Sequence, residues 1–224
     1  MVPRTPPEDF TGARAGRFRD RLVSEAARLA APLSSGAADA MLEHYTMLRR
    51  WGSRMNLTGL RDEEAILRRH FLEPIAAADL FPGAGRLVDI GSGSGFPAIP
   101  LKVLRPELDL VLVESSERKS AFLWSVIQAL RLGNSRVETR RIRRRSDLAD
   151  LLPCRYLTFR AVRGLELLGG DPPALLEREG RAILFVSMKE AARIAKSVPA
   201  GLRFLESRPL LPDADSCLVV LGPT

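Results

Sequence analysis

A short apolar run, Arg86 to Ile90, leads without a break into Gly91-Ser92-Gly93-Ser94-Gly95, and a helical run, Ile99 to Leu104, follows. No other segment constrains the fold as strongly. A strand that enters three alternating glycines and then a helix reads as the opening of a βαβ unit. Its turn lets a ligand approach the backbone closely and turns helix N–H groups toward it. Pro97 and Pro100 fall in the first turn of that helix, where a missing N–H is tolerated.

The remaining chain fits this opening. Asp109 to Glu114 reads as the next strand, and Ser116 caps a helix carrying Ala121, Phe122, Val126, Ile127 and Leu130 that should stop at Gly133-Asn134. Shorter strands are expected near Arg136 to Thr139 and Arg155 to Phe159. Ala182 to Val186 and Ser216 to Leu221 read as later strands, with helical patches between. Strands alternating with helices predict an α/β fold, an open and largely parallel sheet covered on both faces.

The first 80 residues show no strand signal. Helical spacing begins at about Phe18 (Leu22, Val23, Ala26, Leu29). A second helix should follow Ser34 or Ser35, with Met41, Leu42, Tyr45, Leu48 and Trp51 on one stripe. Asp62 should cap a third, with apolar face Ile66, Leu67, Phe71 and Ile75, and Pro74 should end or kink it. The expected organisation is a flexible tail over residues 1–16, a helical extension over 17–80 and the α/β domain over 81–224, with no internal repeat.

Composition removes several classes. No apolar run approaches the roughly 18 residues of a membrane helix, and Met1 to Gly16 lacks a secretory apolar stretch, so a cytoplasmic protein without membrane contact is expected. Cys154 and Cys217 stand 63 positions apart and only His44 and His70 are available, so neither a disulfide framework nor a metal site is expected. The net charge is +7. Four of the 34 basic residues are lysine, which leaves 30 arginines. Arg140, Arg141, Arg143, Arg144 and Arg145 cluster within six residues, and Arg49, Arg50, Arg54, Arg61, Arg68 and Arg69 form a second set. Either a polyanionic partner or a solvated charged surface accounts for them.

The glycine turn can be matched to a ligand. A dinucleotide fingerprint needs glycine where Phe96 stands, and no Lys-Ser/Thr pair follows as in a phosphate loop. Asp89, two residues before the first glycine, would repel a diphosphate and attract the sulfonium and amino groups of S-adenosyl-L-methionine. Glu114, at the next strand's end, can accept the ribose hydroxyls. The predicted cofactor is therefore S-adenosyl-L-methionine.

Two kinds of methyl acceptor are disfavoured, and an acceptor that needs little deprotonation, such as guanine N7, qualifies. Amino-group methylation of bases uses an Asn/Asp-Pro-Pro-aromatic motif after the fourth strand, where this chain has Arg160-Ala161-Val162. Asp171-Pro172-Pro173 lies too far on and continues with Ala174. Attack on cytosine C5 needs a cysteine beyond the same strand, and Cys154 lies before it. Guanine N7 carries an in-plane lone pair and no proton, so alignment alone suffices and no general base is needed.

These motifs together resemble the bacterial 16S ribosomal RNA guanine-N7 methyltransferases, the glucose-inhibited division protein B family, over roughly residues 40–190. The similarity rests on Trp51 with Asn56-Leu57-Thr58, on Arg69-His70-Phe71-Leu72, and most specifically on Asp89 through Gly95 continued by Phe96-Pro97-Ala98-Ile99-Pro100-Leu101. Glu114-Ser115, Arg118-Lys119, Phe122-Leu123, Arg160-Ala161 and Lys189 extend it. The resemblance implies a class I S-adenosylmethionine-dependent methyltransferase, with a Rossmann-like, mostly parallel seven-stranded sheet, helices on both faces and a helical N-terminal extension. It implies 16S ribosomal RNA or the small ribosomal subunit as partner, and a monomer. Asp89, Gly91, Ser92, Gly93, Gly95, Phe96, Glu114, Ser115, Ile142, Arg143 and Arg160 are the implied cofactor contacts, and Arg160, Arg141 and Lys189 the groups that position the base. Three positions depart from the family pattern. Arg141-Ile142-Arg143 stands for Arg-x-Glu, Glu190 for a glycine, and Glu73-Pro74 for Asp-Ser. An RNA-binding assembly factor with weak catalysis, or a small-molecule methyltransferase, remains an alternative reading.

Overall fold

The computed structural model describes residues 12–52, 55–160, 175–212 and 214–224. Seven strands form one sheet: β1 (Gly85–Ile90), β2 (Leu108–Glu114), β3 (Ser135–Thr139), β4 (Cys154–Phe159), β5 (Leu176–Ser187), β6 (Leu202–Pro209) and β7 (Ser216–Pro223). Their order is β3-β2-β1-β4-β5-β7-β6, parallel except for β7, which runs antiparallel to β5 and β6. Central β1 and β2 are buried on both faces at Leu87 and Val88 and at Leu110 to Val113, as their apolar residues require. The chain returns across β1 between β3 and β4, so β1, β2 and β4 open a crevice at their C-terminal ends.

The helices are α1 (Ala13–Arg28), α2 (Ser35–Gly52), α3 (Glu63–Ile66), α4 (Glu73–Ala76), α5 (Ala98–Leu104), α6 (Glu117–Ala129) and α7 (Met188–Lys196). Ser34 caps α2 by accepting the Ala37 N–H at 3.2 Å, and Asp62 caps α3 by accepting the Ala65 N–H at 2.9 Å. Among the described residues no helix is long and apolar enough to cross a membrane.

Four sequence expectations are corrected. Helix α1 starts at Ala13, inside the span read as tail, while residues 1–11 lie outside the described residues. Pro74 does not end the third helix. Leu67–Leu72 widens into a π turn ahead of it, and the helix continues as α4, with Pro74 in the first turn where its missing N–H is harmless. Helix α6 ends at Ala129, short of Gly133, because Arg131 takes a left-handed conformation (φ 50°). Strand β6, in a stretch read as helical patches, completes the seven as an exposed edge strand.

Two apolar clusters lie on the two sheet faces. One joins Phe18, Tyr45 and Phe71 of the N-terminal helices to Leu87, Leu112, Phe122 and Tyr156, and so runs across the expected boundary at residue 80. The other packs Val88, Leu157 and Leu184 against Leu148, Leu151, Ala191 and Ile194. The period of two along a strand puts Asp89 with Leu87, and Thr158 with Tyr156, on the face that the extension covers.

Candidate active site

The glycine turn is held in shape by β2. Gly91 and Ser92 N–H both donate to the Val113 carbonyl, at 2.8 and 3.1 Å. Gly93 N–H donates to Glu114 Oε2 at 2.9 Å, and Ser116 N–H donates to Glu114 Oε1 at 2.8 Å. Glu114 thus fastens the turn; Oε1 also accepts the Ser115 hydroxyl at 3.5 Å, and Oε2 keeps a further lone pair for a hydroxyl. Gly95 has no alternative residue. Its φ is +88°, and a Cβ there would lie 2.4 Å from Ile99 Cδ1.

Asp89, 1 % exposed, sits beneath that turn. Thr158, its register partner on β4, donates to Oδ1 at 2.7 Å, whereas Oδ2 has no hydrogen-bond partner among the described residues. Burial pushes the carboxyl up to about 6, against the pull of the Thr158 hydroxyl, Ser92 and the Arg160 charge. Arg160, just beyond β4, donates from Nη1 to Glu73 Oε2 at 2.6 Å and lies 4.9 Å from the Phe185 ring centroid. Its Nε and Nη2 are buried without partners among the described residues. Burial holds the guanidinium below its usual range, and Glu73 opposes that pull. An unpaired carboxylate oxygen and two unpaired donor nitrogens of a guanidinium that acts on it electrostatically therefore lie at the same end of the sheet. Such atoms are rare in a finished core and mark a place for a ligand bearing both charges.

The third component comes from the extension. The Phe96 ring lies between two imidazoles, His44 at 4.4 Å and His70 at 4.2 Å between centroids, all three nearly parallel. His44 Nε2 makes a 2.9 Å hydrogen bond with the Ser94 carbonyl, and His70 Nε2 with Thr58 Oγ1 at 2.9 Å. Burial is the first cause that drives His44 down to about 4 and His70 to about 3, so both rings are neutral near pH 7. The Phe96 side chain thus serves to clamp the turn to the extension, a role the sequence reading did not give it.

Comparison with known proteins fits this geometry. Residues 37–196 match the family model described as rRNA small subunit methyltransferase G. The chain belongs to this family, GidB. Among its relatives, ribosomal RNA small subunit methyltransferase G of Roseiflexus sp. (strain RS-1) is 42 % identical over 54 % of this chain and 53 % of that protein, so the match spans about half of the relative. The protein of the same name from Xanthomonas axonopodis pv. citri is 33 % identical over 80 % and 82 %. Solved structures share the fold at lower identity. A ribosomal protein L11 methylase from Lactobacillus delbrueckii subsp. bulgaricus aligns with TM-score 0.54 at 13 % identity, over 74 % of this chain and 81 % of that one. MtNAS in complex with MTA and tNA aligns with TM-score 0.55 at 16 % identity, over 94 % and 76 %. The class I methyltransferase fold is established by these together.

The other expected GidB site residues are placed less tightly. Arg141, Arg143 and Lys189 are exposed, Lys189 in the first turn of α7 past the end of β5. Ile142 is half-buried against the second apolar cluster. The loop after β3 is shaped by Asp147, whose Oδ2 accepts the backbone N–H of Arg143 at 2.9 Å and of Arg144 at 3.2 Å. Ser115 is exposed beside Glu114. Within the arginine cluster, Arg140 pairs bidentately with Asp150 at 2.8 and 2.9 Å. Arg144, largely exposed, pairs with Asp147 at 3.5 Å. Arg54, Ala161, Val162 and Asp171-Pro172-Pro173-Ala174 lie outside the described residues. Glu73, the partner of Arg160, is the candidate site residue the sequence reading missed. It was visible only as a departure, a carboxylate one methylene longer than the family's aspartate.

Proposed function

We propose that this chain transfers a methyl group from S-adenosyl-L-methionine to N7 of a guanine in bacterial 16S ribosomal RNA, as a cytoplasmic monomer. The observation that carries the reading is the unpaired Asp89 Oδ2 under a glycine turn, beside unpaired donors of Arg160. When bound, the donor supplies an electrophilic methyl group on a cationic sulfur. A buried carboxylate with a free oxygen suits that cation or its amino group, whereas a diphosphate would meet like charge. The turn at Gly91 and Gly93 lets the donor lie against the backbone, and Glu114 Oε2 retains a lone pair for a ribose hydroxyl. Arg160 has two donor nitrogens, Nε and Nη2, to offer a carboxylate or a carbonyl oxygen at the junction of donor and base.

The chemistry asks for alignment rather than proton transfer, since N7 has no proton to lose. The relatives' shared name, ribosomal RNA small subunit methyltransferase G, supports the same substrate. Exposed Arg141, Arg143 and Lys189 are available for phosphates around the target. The test is transfer of tritiated methyl to small-subunit RNA, large-subunit RNA and transfer RNA, with the product read by mass. Label in 7-methylguanosine of small-subunit RNA alone is expected. Label elsewhere, or none, rejects the proposal.

A further inference from the structure

A cavity of about 350 Å³ opens between the extension and the β5–β7 edge of the sheet. Asp62, Arg69 and Glu73 line one wall, and Ser187, Asp215 and Ser216 line the other. The β5 and β7 ends that form it belong to the same rim of the sheet as Asp89 and Arg160, on the opposite side of Arg160 from the glycine turn. Two independent features mark it as a binding site. Ser216, 9 % exposed, lines the cavity, and its hydroxyl has no partner among the described residues. Glu73, 1 % exposed, both lines it and grips Arg160, whose Nε and Nη2 have no partner among the described residues.

Its charge is unexpected. The chain carries +7, yet the lining itself holds four carboxylates (Asp62, Glu64, Glu73, Asp215) beside Arg68 and Arg69, and the guanidiniums that pair with Glu64 and Glu73, those of Arg21 and Arg160, stand outside it. A surface meant only for phosphates would not be built this way. The reaction supplies a reason. As the N7 lone pair bonds to the methyl carbon, the carbon–sulfur bond breaks and its electron pair stays on sulfur. No proton moves, so the positive charge leaves the donor and appears on the guanine ring. A site for that step needs negative charge first near the sulfur and then near the base. Arg160 links two such carboxylates, Glu73 through a hydrogen bond and Asp89 through its charge. A carboxylate also pairs with guanine's N1–H and N2–H edge, which leaves N7 free and turns adenine away because its N1 is an acceptor.

We infer that this cavity receives the target guanine and that its carboxylates, Glu73 and Asp215 foremost, hold the base more tightly once it has become a cation. This rests on the guanine-N7 reading above. Preference for the charged product is the developing-charge stabilisation that lowers a transfer barrier.

The experiment titrates the full chain, loaded with S-adenosylhomocysteine, with guanosine, 7-methylguanosine and adenosine 5′-monophosphates on the acid side of neutrality. The methylated nucleotide should bind about tenfold more tightly than the unmethylated one, and adenosine monophosphate most weakly. Asp215→Asn, at the exposed rim, and Glu73→Gln should each shrink the methylation preference by about threefold or more. Should Glu73→Gln fail to fold, Asp215→Asn and Ser216→Ala carry the test, the latter weakening both guanine nucleotides alike. Equal affinities in the parent, or a preference that survives every variant, would overturn the inference. Methyl transfer to small-subunit RNA by the same preparation separates the two claims. Transfer with a flat titration removes only this assignment, and absent transfer removes the reading beneath it.

Discussion

Replacing Asp89 by Asn should stabilise the free protein while disabling it. The carboxyl is pushed up to about 6 from the 3.8 of an unperturbed aspartate, with burial the leading cause. Roughly two units at about 1.4 kcal/mol each place the burden of holding it charged near 3 kcal/mol, as an order of magnitude. The pull of Arg160 and the Thr158 hydroxyl is already contained in that net shift. An amide keeps the Thr158 contact through its oxygen and removes the charge. For a chain of this size the gain corresponds to a Tm rise of about 5–10 °C near neutral pH. The pH window follows from the direction of the shift. Below 3.8 both folded and unfolded parent are protonated and bear no burden, so the two proteins should melt together there. Between 3.8 and about 6 the folded parent binds the proton more tightly than its unfolded chain, so its stability falls as pH rises. Above that the full difference should stand. Scanning fluorimetry from acid to neutral pH reads this directly. With saturating S-adenosyl-L-methionine the order should reverse, because the parent alone offers the cation a carboxylate. A difference in Tm that ignores pH, or a variant less stable than the parent at neutrality, would refute the reasoning.

Binding of the same donor should itself depend on pH. A cation beside Asp89 favours the ionised carboxyl, so affinity measured by calorimetry should be flat above about 6 and fall up to tenfold per unit below it, with proton release. Gly95→Ala forces a Cβ to within 2.4 Å of Ile99 Cδ1 at a φ of +88°, and should lower stability by about 2 kcal/mol or more in urea unfolding. An unchanged midpoint would mean the turn relaxes freely. Arg144→Ala should leave donor affinity untouched and reduce the slope of log affinity for RNA against log salt by about one. Lost donor binding would show that the arginine cluster belongs to the cofactor site.

What was legible in the sequence is what local spacing encodes. The β1–turn–α5 unit announced itself because left-handed backbone at Gly91, Gly93 and Gly95 demands glycine at those places. Caps at Ser34 and Asp62 were readable for the same reason, a side chain bonding three residues ahead. Strand β6 was not, since nearly all its side chains are exposed and no alternation of apolar residues betrays it. The Arg160–Glu73 pair joins positions 87 apart, a distance that no motif spans. The clamp on Phe96 was half legible. His44 falls on the stripe of Met41, Tyr45 and Leu48, and His70 beside Phe71, so both imidazoles were due to be buried, but not stacked on one ring.

That clamp and that ion pair change what the N-terminal helices are for. A sheet with its glycine turn could bind a donor by itself, yet here the turn's ring is held by two histidines and the Ser94 carbonyl by one of them, all from helical segments ahead of β1. Arg160 donates its side-chain hydrogen bond to Glu73 of α4, and its Nε and Nη2 have no partner among the described residues. The π turn at Leu67–Leu72 presents both His70 and, one residue on, Glu73, so a single irregular segment sets the turn on one side and the guanidinium on the other. The extension is therefore a wall of the site. Substitutions in its π turn should disturb donor and base together, while changes in the exposed edge strand β6 leave both alone.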